Sequence, residues 1–325
     1  MKNKVKMTAV SILVFAIIIF VICKNNIGNQ NKNEQNANTE KIVLNSLNIG
    51  ESGEKVTKVE YNKKIDLKKI FSQETDVYKI KTYDYSKKDM AKIAKIFDTG
   101  IKEEDKSDGM TIQYKLNDGG CITYYKNAGG INYISNSDTL DDVKGIKFDK
   151  EKCKKIAEDF IKKSDVIKYE ELELQSAYAA ETVETSEGEK DVAYALYYIK
   201  KNPYNMEYYG GGPGIKILID SNYEITQFTS INKEILKKAG RYETIDADAA
   251  VKKIIGNEGV RIISASESEK SDVSIDRVKI CLYNDPLGTQ QKYFAPYYVM
   301  SGKDKNNEEI MIVVPAIENK NVIYK

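Results

Sequence analysis

The feature that most constrains this chain is an apolar segment of 17 residues near its start, Met7–Cys23, which contains no charged residue. At about 1.5 Å per residue a helix of this length is roughly 25 Å long, the short end of what crosses a bilayer. Three lysines precede the segment, whereas only Lys24 follows it at once. This excess of positive charge predicts a cytoplasmic N-terminus and an extracytoplasmic body.

We interpret Met7–Cys23 as an uncleaved single-pass membrane anchor, in which the small residues Ser11 and Ala16 suit packing against another helix. Two alternatives stay open. An ordinary signal peptide needs small residues before its cleavage site, and a lipoprotein signal needs one before its cysteine, where this chain has Ile22. All three interpretations place the rest of the chain outside the cytoplasmic membrane.

The composition excludes several classes of function. Lys and Arg number 50 against 49 Asp and Glu, and removing the four lysines that flank the apolar segment leaves a net charge of −3. A body so close to neutral predicts no nucleic-acid partner. The chain has no histidine, which removes histidine-based catalysis and histidine-ligated metals. Carboxylate, lysine and Ser-Lys chemistries survive, and an extracytoplasmic hydrolase stays open as a third hypothesis. Because no nucleophile motif marks such a site, we expect a protein that is not an enzyme, with no catalytic residue, metal, cofactor or small-molecule substrate.

Three cysteines lie outside the apolar segment: Cys121, Cys153 and Cys281. Cysteine commonly behaves as a small buried hydrophobic residue, which is the reading favoured here. One disulfide among the three stays open, because the sequence does not say which pair would form it.

Composition and periodicity divide the chain into five segments: 1–24, 25–54, 55–146, 147–240 and 241–325. The first holds the tail and the transmembrane helix, and the second is an Asn-, Gln- and Lys-rich flexible linker. The third is an N-terminal α+β domain, and the last two are related repeats. The predicted fold class is therefore α+β, with an N-terminal transmembrane helix followed by tandem modules of one helix packed on an antiparallel sheet.

Each of the three modules begins with a helix that has an N-cap and one apolar face. Ser86, with Asp89 three residues later, predicts a capping box, and Asp149 and Asp246 predict the next two caps. The apolar faces comprise Met90, Ile93, Ala94 and Phe97; Cys153, Ile156, Ala157, Phe160 and Ile161; and Ala247, Ala250, Val251, Ile254 and Ile255.

Strand-like runs follow each helix and are separated by turn signals such as Asn117–Gly120, Asn127–Gly130 and Asp220–Asn222. The last two modules also match each other in sequence. Phe148-Asp149 corresponds to Ile245-Asp246 at an offset of 97, and Ala195–Ile199 corresponds to Ala295–Val299 at an offset of 100. Two matches at nearly one period predict a duplicated module.

The repeated unit resembles the PepSY module. The resemblance rests on the helix start Ile245–Ala250, the aromatic strand Tyr293–Val299 and the final strands around Glu309–Ile317. With its anchor and tether, the whole chain resembles the YycH/YycI type of accessory protein from Gram-positive bacteria. That resemblance implies a membrane-anchored regulator with an extracellular domain. Its implied partner is the sensor histidine kinase of a two-component system that controls cell-wall processes, or a sister accessory protein.

The alternative is an extracytoplasmic binding module for a cell-wall or peptide ligand, or an inhibitor of a secreted protease. A candidate interaction surface is formed by Tyr197, Tyr198, Tyr297 and Tyr298, because aromatic faces stack on sugars and peptides. Cross-strand packing is the competing interpretation. Neighbouring residues point to opposite faces of a strand, so one tyrosine of each pair is expected in the core.

Two local motifs are given structural interpretations. The glycine-rich run Gly210–Gly214 precedes a strand rather than a helix, so we interpret it as a flexible connection and not as a phosphate-binding loop. The acidic runs Glu103–Asp105 and Asp138–Asp142 lack the calcium-loop pattern and are interpreted as solvated loop charge.

Overall fold

The computed structural model describes residues 41–45, 47, 55–106, 109–136, 146–185, 188–202, 204, 206–264, 270–317, 320 and 322–324. Strands make up 53% of these residues and helices 17%. The four helices are α1 (Leu67–Ile70), α2 (Lys87–Ile96), α3 (Lys150–Ser164) and α4 (Ala247–Gly256).

The strands share one property, in that each pairs with at least one other strand of the described chain. They are β1 (Ile42–Leu44), β2 (Lys55–Tyr61), β3 (Glu74–Thr82), β4 (Ile101–Asp105), β5 (Thr111–Leu116), β6 (Cys121–Tyr125), β7 (Gly130–Ile134), β8 (Leu172–Thr185), β9 (Gly188–Lys200), β10 (Tyr208–Tyr209), β11 (Gly214–Asp220), β12 (Ile225–Ile231), β13 (Lys233–Glu243), β14 (Arg261–Ser264), β15 (Lys270–Tyr283), β16 (Tyr293–Phe294), β17 (Pro296–Asp304), β18 (Glu309–Pro315) and β19 (Val322–Tyr324).

An eight-stranded antiparallel sheet, in the order β4-β5-β6-β7-β12-β11-β9-β8, forms the first half of the fold. The helices α2 and α3 contribute their apolar faces to its core. Met90 and Ile93 of α2 and Ala157 and Phe160 of α3 are buried together with side chains from the strands. The apolar faces predicted from the 3.6-residue period are therefore the faces that pack.

A six-stranded sheet forms the second half, in the order β10-β15-β17-β18-β14, with β2 also pairing with β15. Both β2 and β10 run parallel to β15. One face packs with α4 and the other faces a second cluster that includes β1 and the residues after it. A three-stranded sheet, β13-β3-β16, and the parallel pair β1-β19 complete the fold.

The predicted helix caps are confirmed. The Ser86 hydroxyl accepts a hydrogen bond from the Asp89 amide at 3.3 Å, and the Asp89 carboxylate accepts one from the Ser86 amide at 2.9 Å. Asp149 accepts from two backbone amides at the start of α3, and Asp246 accepts from the Ala249 amide at 2.7 Å. These bonds satisfy amides that have no partner inside the helix.

The three cysteines outside the apolar segment are free thiols. Cys153 and Cys281 are buried, and burial raises the pKa of Cys153 to about 11 and that of Cys281 to about 12. Both therefore stay protonated near neutral pH, as expected for buried structural thiols.

The predicted fold class, tandem modules of one helix on an antiparallel sheet, is wrong. The described chain is mostly β, and β7 pairs with β12 to merge strands from either side of residue 146 into one sheet under two helices. In the second half, strands distant in sequence run parallel to β15. The physical reason is that an edge strand exposes unpaired backbone groups, and the strand that satisfies them need not be close in sequence.

The predicted transmembrane helix and single-pass membrane localisation are likewise corrected. Within the ranges given above, no helix combines the length and the apolar character needed to span a membrane. The proposed anchor residues Met7, Ser11, Ala16 and Cys23 lie outside the described residues, as does most of the predicted linker 25–54.

Candidate functional site

A groove of about 640 Å³ lies between the end of α2 and the face of α3, over one end of the eight-stranded sheet. Its volume falls within the range of known ligand sites, roughly 300–1,000 Å³. Its walls come from the turn after α2, the β5–β6 turn, the end of β7, α3 and the β11–β12 hairpin. Segments distant in sequence therefore converge on one opening.

The floor of the groove is aromatic. The Phe97 ring stacks on the Tyr133 ring with centroids 3.7 Å apart and planes 10° from parallel, and it lies 5.3 Å from the Phe160 ring. Tyr133 and Phe160 are buried, whereas Phe97 is half-buried. Stacked rings of this kind form a rigid apolar surface on which a ligand can bury apolar area.

The rim of the groove is acidic. Asp98 follows α2, Asp118 lies in the β5–β6 turn, Asp159 projects from α3, and Glu224 ends the β11–β12 turn. All four are exposed, and Lys163 is the positively charged residue that lines the groove with them. Asp98, Asp159 and Glu224 make no salt bridge within the described ranges. The rim therefore carries an excess of negative charge that the described chain does not neutralise.

The Tyr133 hydroxyl is the polar group at the groove floor. Tyr133 is only 3% exposed, yet no residue that the structure describes hydrogen-bonds this hydroxyl. Burial, with smaller contributions from the negative charges of Asp118 and Glu224, raises the pKa of Tyr133 to about 12. The hydroxyl thus keeps its proton and presents an unused donor. The Tyr133 ring is buried, but its hydroxyl oxygen is not one of the buried unpaired oxygens of the described residues, so it reaches the groove, where water or a ligand can accept its hydrogen bond.

Local turn chemistry places Glu224 on the rim. The Asp220 carboxylate accepts hydrogen bonds from the amides of Asn222 at 3.0 Å and of Glu224 at 2.8 Å. Tyr223 adopts a left-handed backbone conformation with φ of 66°. An aspartate that binds the amides after it is a common way to close a tight turn. The predicted turn at Asp220–Asn222 is therefore confirmed.

The four tyrosines of the predicted interaction surface lie in two different sheets. Tyr197 and Tyr198 are on β9, and Tyr297 and Tyr298 are on β17. Tyr198, Tyr297 and Tyr298 are buried, and Tyr197 is half-buried. Both tyrosines of the β17 pair are buried because both faces of the six-stranded sheet are covered. A surface built from these residues stays a prediction, and the structure does not bring them together.

The sequence reasoning did not single out the acidic residues of the rim. It noted the acidic run at 103–105, but there Lys115 pairs with Glu103, and Lys87 and Lys106 pair with Glu104. The second acidic run, 138–142, lies outside the described residues. A usable signal was the placement of Asp118 and Glu224 at turns, since turns collect at the ends of a sheet.

A second polar cluster lies where the two halves of the fold meet. Lys233, 1% exposed, donates hydrogen bonds to the side-chain oxygens of Asn284 at 2.9 Å and Gln291 at 2.8 Å. Burial lowers the pKa of Lys233 to about 8, an effect that the nearby Asp285 opposes. An opening of about 140 Å³ is lined by Asp285 and Gln291 but not by Lys233. Because the amine is sealed off, its role is structural.

Comparisons with known proteins supply no family. No family model and no curated protein matches the chain. Among solved structures, the chain is similar to the crystal structure of an uncharacterized protein from Eubacterium rectale ATCC 33656, with a TM-score of 0.41 and 10% identity. That match covers 83% of this chain and 90% of the other. A similarity this low supports no inference about fold or function.

Proposed function

We propose that this is a binding protein whose ligand occupies the groove between α2 and α3. One observation carries the proposal: a groove of about 640 Å³ has an aromatic floor and, at that floor, a tyrosine hydroxyl to which no described residue hydrogen-bonds and which a ligand can reach. Concave sites with apolar walls and a few well-placed polar groups are the common form of ligand sites. A ligand here would contact both helices and two turns at once.

Binding in the groove also supplies a route to regulation. A ligand that touches both α2 and α3 favours the arrangement of the helices that it fits, and so shifts the population toward that arrangement. A signalling partner such as the sensor kinase implied by the resemblance stays a prediction, as does the absence of enzymatic activity. Of the alternatives set out from the sequence, a peptide-binding module fits the groove most directly.

Blocking the groove tests the proposal. Thr226 lines the groove, whereas Gln227 is exposed on the opposite face of the same strand, because neighbouring strand residues alternate. A library of short peptides and organic fragments is screened against the full chain by the shift in melting temperature, and hits are retested on Thr226→Trp and Gln227→Trp. We expect Thr226→Trp to abolish binding and Gln227→Trp to preserve it. Hits that bind both variants equally, or no hits at all, would refute the proposal.

A further inference from the structure

We infer that the ligand of the groove is a basic peptide segment, an extended chain that carries at least two lysine or arginine side chains. The inference rests on the function proposed above and gives that site its ligand chemistry. Charge is the first argument. Asp98, Asp118, Asp159 and Glu224 surround the opening, and Lys163 is the basic residue among the lining side chains.

The acidic residues of the rim are free to act on a ligand. Some acidic side chains elsewhere are neutralised by neighbours, as where Glu104 pairs with Lys87 at 2.8 Å and with Lys106 at 2.7 Å. Asp98, Asp159 and Glu224 have no such pairing in the part of the chain that the structure describes. They also come from three separate elements around the opening, so a ligand with several spaced positive charges matches them better than one with a single charge.

The aromatic floor favours the same chemistry. Phe97 stacks on Tyr133 and is tilted against Phe160, and the three rings form an aromatic surface below the acidic rim. Lysine and arginine combine an apolar stem with a charged end, so the stem can lie on the rings while the ammonium or guanidinium group reaches a carboxylate. Cations also interact favourably with aromatic faces. The site is apolar at its floor and negatively charged at its rim, and a basic side chain has an apolar stem and a positively charged end, so the two match.

The remaining polar groups distinguish a peptide from a simple polyamine. The Tyr133 hydroxyl is a donor without a partner, and the Lys163 ammonium is a donor that makes no salt bridge within the described residues. Both can donate a hydrogen bond to an acceptor on a ligand. A peptide offers a carbonyl oxygen at every residue, whereas a polyamine offers none when it is protonated. The site therefore has complementary groups for the backbone of a peptide as well as for its basic side chains.

The test measures binding of fluorescein-labelled peptides to the full chain by fluorescence anisotropy. The basic probe is a Lys-Phe-Lys-Ala-Lys peptide with fluorescein on its N-terminus and an amidated C-terminus, the neutral probe replaces each lysine with glutamine, and spermine is a separate competitor. We expect the basic peptide to bind, the neutral peptide to bind at least tenfold more weakly, and affinity to fall as salt is raised. Tyr133→Phe, which keeps the ring, is expected to weaken the basic peptide by a few-fold.

Charge-neutralising variants locate the effect. Asp98→Asn, Asp159→Asn and Glu224→Gln should each weaken the basic peptide by about two- to fivefold, the range for exposed ion pairs. Glu308→Gln is the matched control, because Glu308 ends an equivalent turn in the other half of the fold and is exposed. It should leave the affinity unchanged. An equal loss with Glu308→Gln would overturn the inference by showing a nonspecific charge effect.

The outcomes separate this inference from the proposed function. If the neutral peptide binds as tightly as the basic one and Thr226→Trp blocks both, the groove is a binding site but the inference of a basic ligand fails. If spermine binds at the groove and neither peptide does, the ligand is a small polyamine and the peptide is excluded. If neither these probes nor the fragment and peptide library bind, both the inference and the proposed function fail.

Discussion

Two regions of this protein are built from the same local chemistry, yet only one of them borders the groove. In the first, α3 packs with the β11–β12 hairpin, and in the second, α4 packs with the β17–β18 hairpin. Each helix begins at an aspartate cap, Asp149 or Asp246. The Asp304 carboxylate accepts from two amides of its turn at 2.8 Å, as Asp220 does at 3.0 and 2.8 Å.

The neighbours of these two regions differ. In the second region, the Phe71 ring, only 3% exposed, lies 4.5 Å from the Tyr298 ring and packs into the core beside α4. In the first, α2 ends and the chain reverses at Asp98, whose φ is 52°, so that Phe97 stays half-exposed beside α3. The comparison teaches that α3 and its hairpin form a groove only where α2 is packed beside them: they supply Asp159, Phe160 and Glu224, and α2 with its turn supplies Phe97 and Asp98.

The largest effect is expected from removing the ring that fills the second region. Phe71→Ala should lower the free energy of unfolding by about 3–5 kcal/mol, because it leaves a cavity in a packed core. Phe97→Ala should cost only about 1–2 kcal/mol, since a half-exposed ring buries less apolar area. Urea denaturation followed by circular dichroism measures both changes. Equal losses would mean that Phe97 is packed as tightly as Phe71 and that the contrast between the regions is false.

The next effect tests what holds the two halves together. Lys233→Met should lower the free energy of unfolding by about 2–4 kcal/mol, because the buried oxygen of Asn284 loses the Lys233 donor and that of Gln291 keeps only the Asp285 amide. Lys237→Met is the control, as Lys237 is an exposed residue of the same strand. Its effect should stay within about 0.5 kcal/mol. A stable Lys233→Met variant would show that the buried cluster is not needed to join the halves.

The paired turns allow a sharper comparison. Asp220→Ala and Asp304→Ala should each cost about 1–3 kcal/mol in unfolding free energy, because each removes the acceptor of two backbone amides. Only Asp220→Ala should also weaken peptide binding, since Asp220 holds the backbone of Glu224 on the rim. Anisotropy titrations of both variants measure this difference. If both variants weakened binding alike, the effect would be general destabilisation rather than loss of the rim.

Local features of this fold could be predicted from the sequence, and distant pairings could not. The Ser86 cap, the Asp149 and Asp246 caps and the Asp220 turn all act within five residues, so their chemistry is visible in the order of the residues. The rim depends on bringing Asp98, Asp118 and Glu224 to one end of the sheet, which is decided by strand pairing over long separations.

The proposed alignment of the repeats shows the same limit. It matched Tyr197-Tyr198 with Tyr297-Tyr298. The two aspartate turns instead make β11 the counterpart of β17, because each of these strands ends at the aspartate of its turn, so the tyrosines of β9 and β17 are not on corresponding strands. The offset between the turns is set by Asp220 and Asp304, whereas a similar pentapeptide can occur on any strand with an aromatic run. Conserved hydrogen-bond geometry was therefore the better guide, and it becomes visible only in the folded chain.

The smallest effect concerns the dependence of stability on pH at the junction of the two halves. Burial lowers the pKa of Lys233 to about 8 in the folded protein, and an unfolded lysine has a pKa near 10.4. Between these values the unfolded state binds more protons than the folded state, so this lysine makes stability rise with pH. From pH 7 to pH 9 wild-type protein should gain about 1 kcal/mol relative to Lys233→Met.

Urea denaturation of both proteins at pH 7, 8 and 9 measures the gap, that is, the difference between their free energies of unfolding. Groups that titrate in both proteins contribute equally to each and cancel in this difference. A constant gap would mean that Lys233 keeps its charge throughout this range. In that case the oxygens of Asn284 and Gln291, together with Asp285, would stabilise the buried ammonium enough to offset its burial.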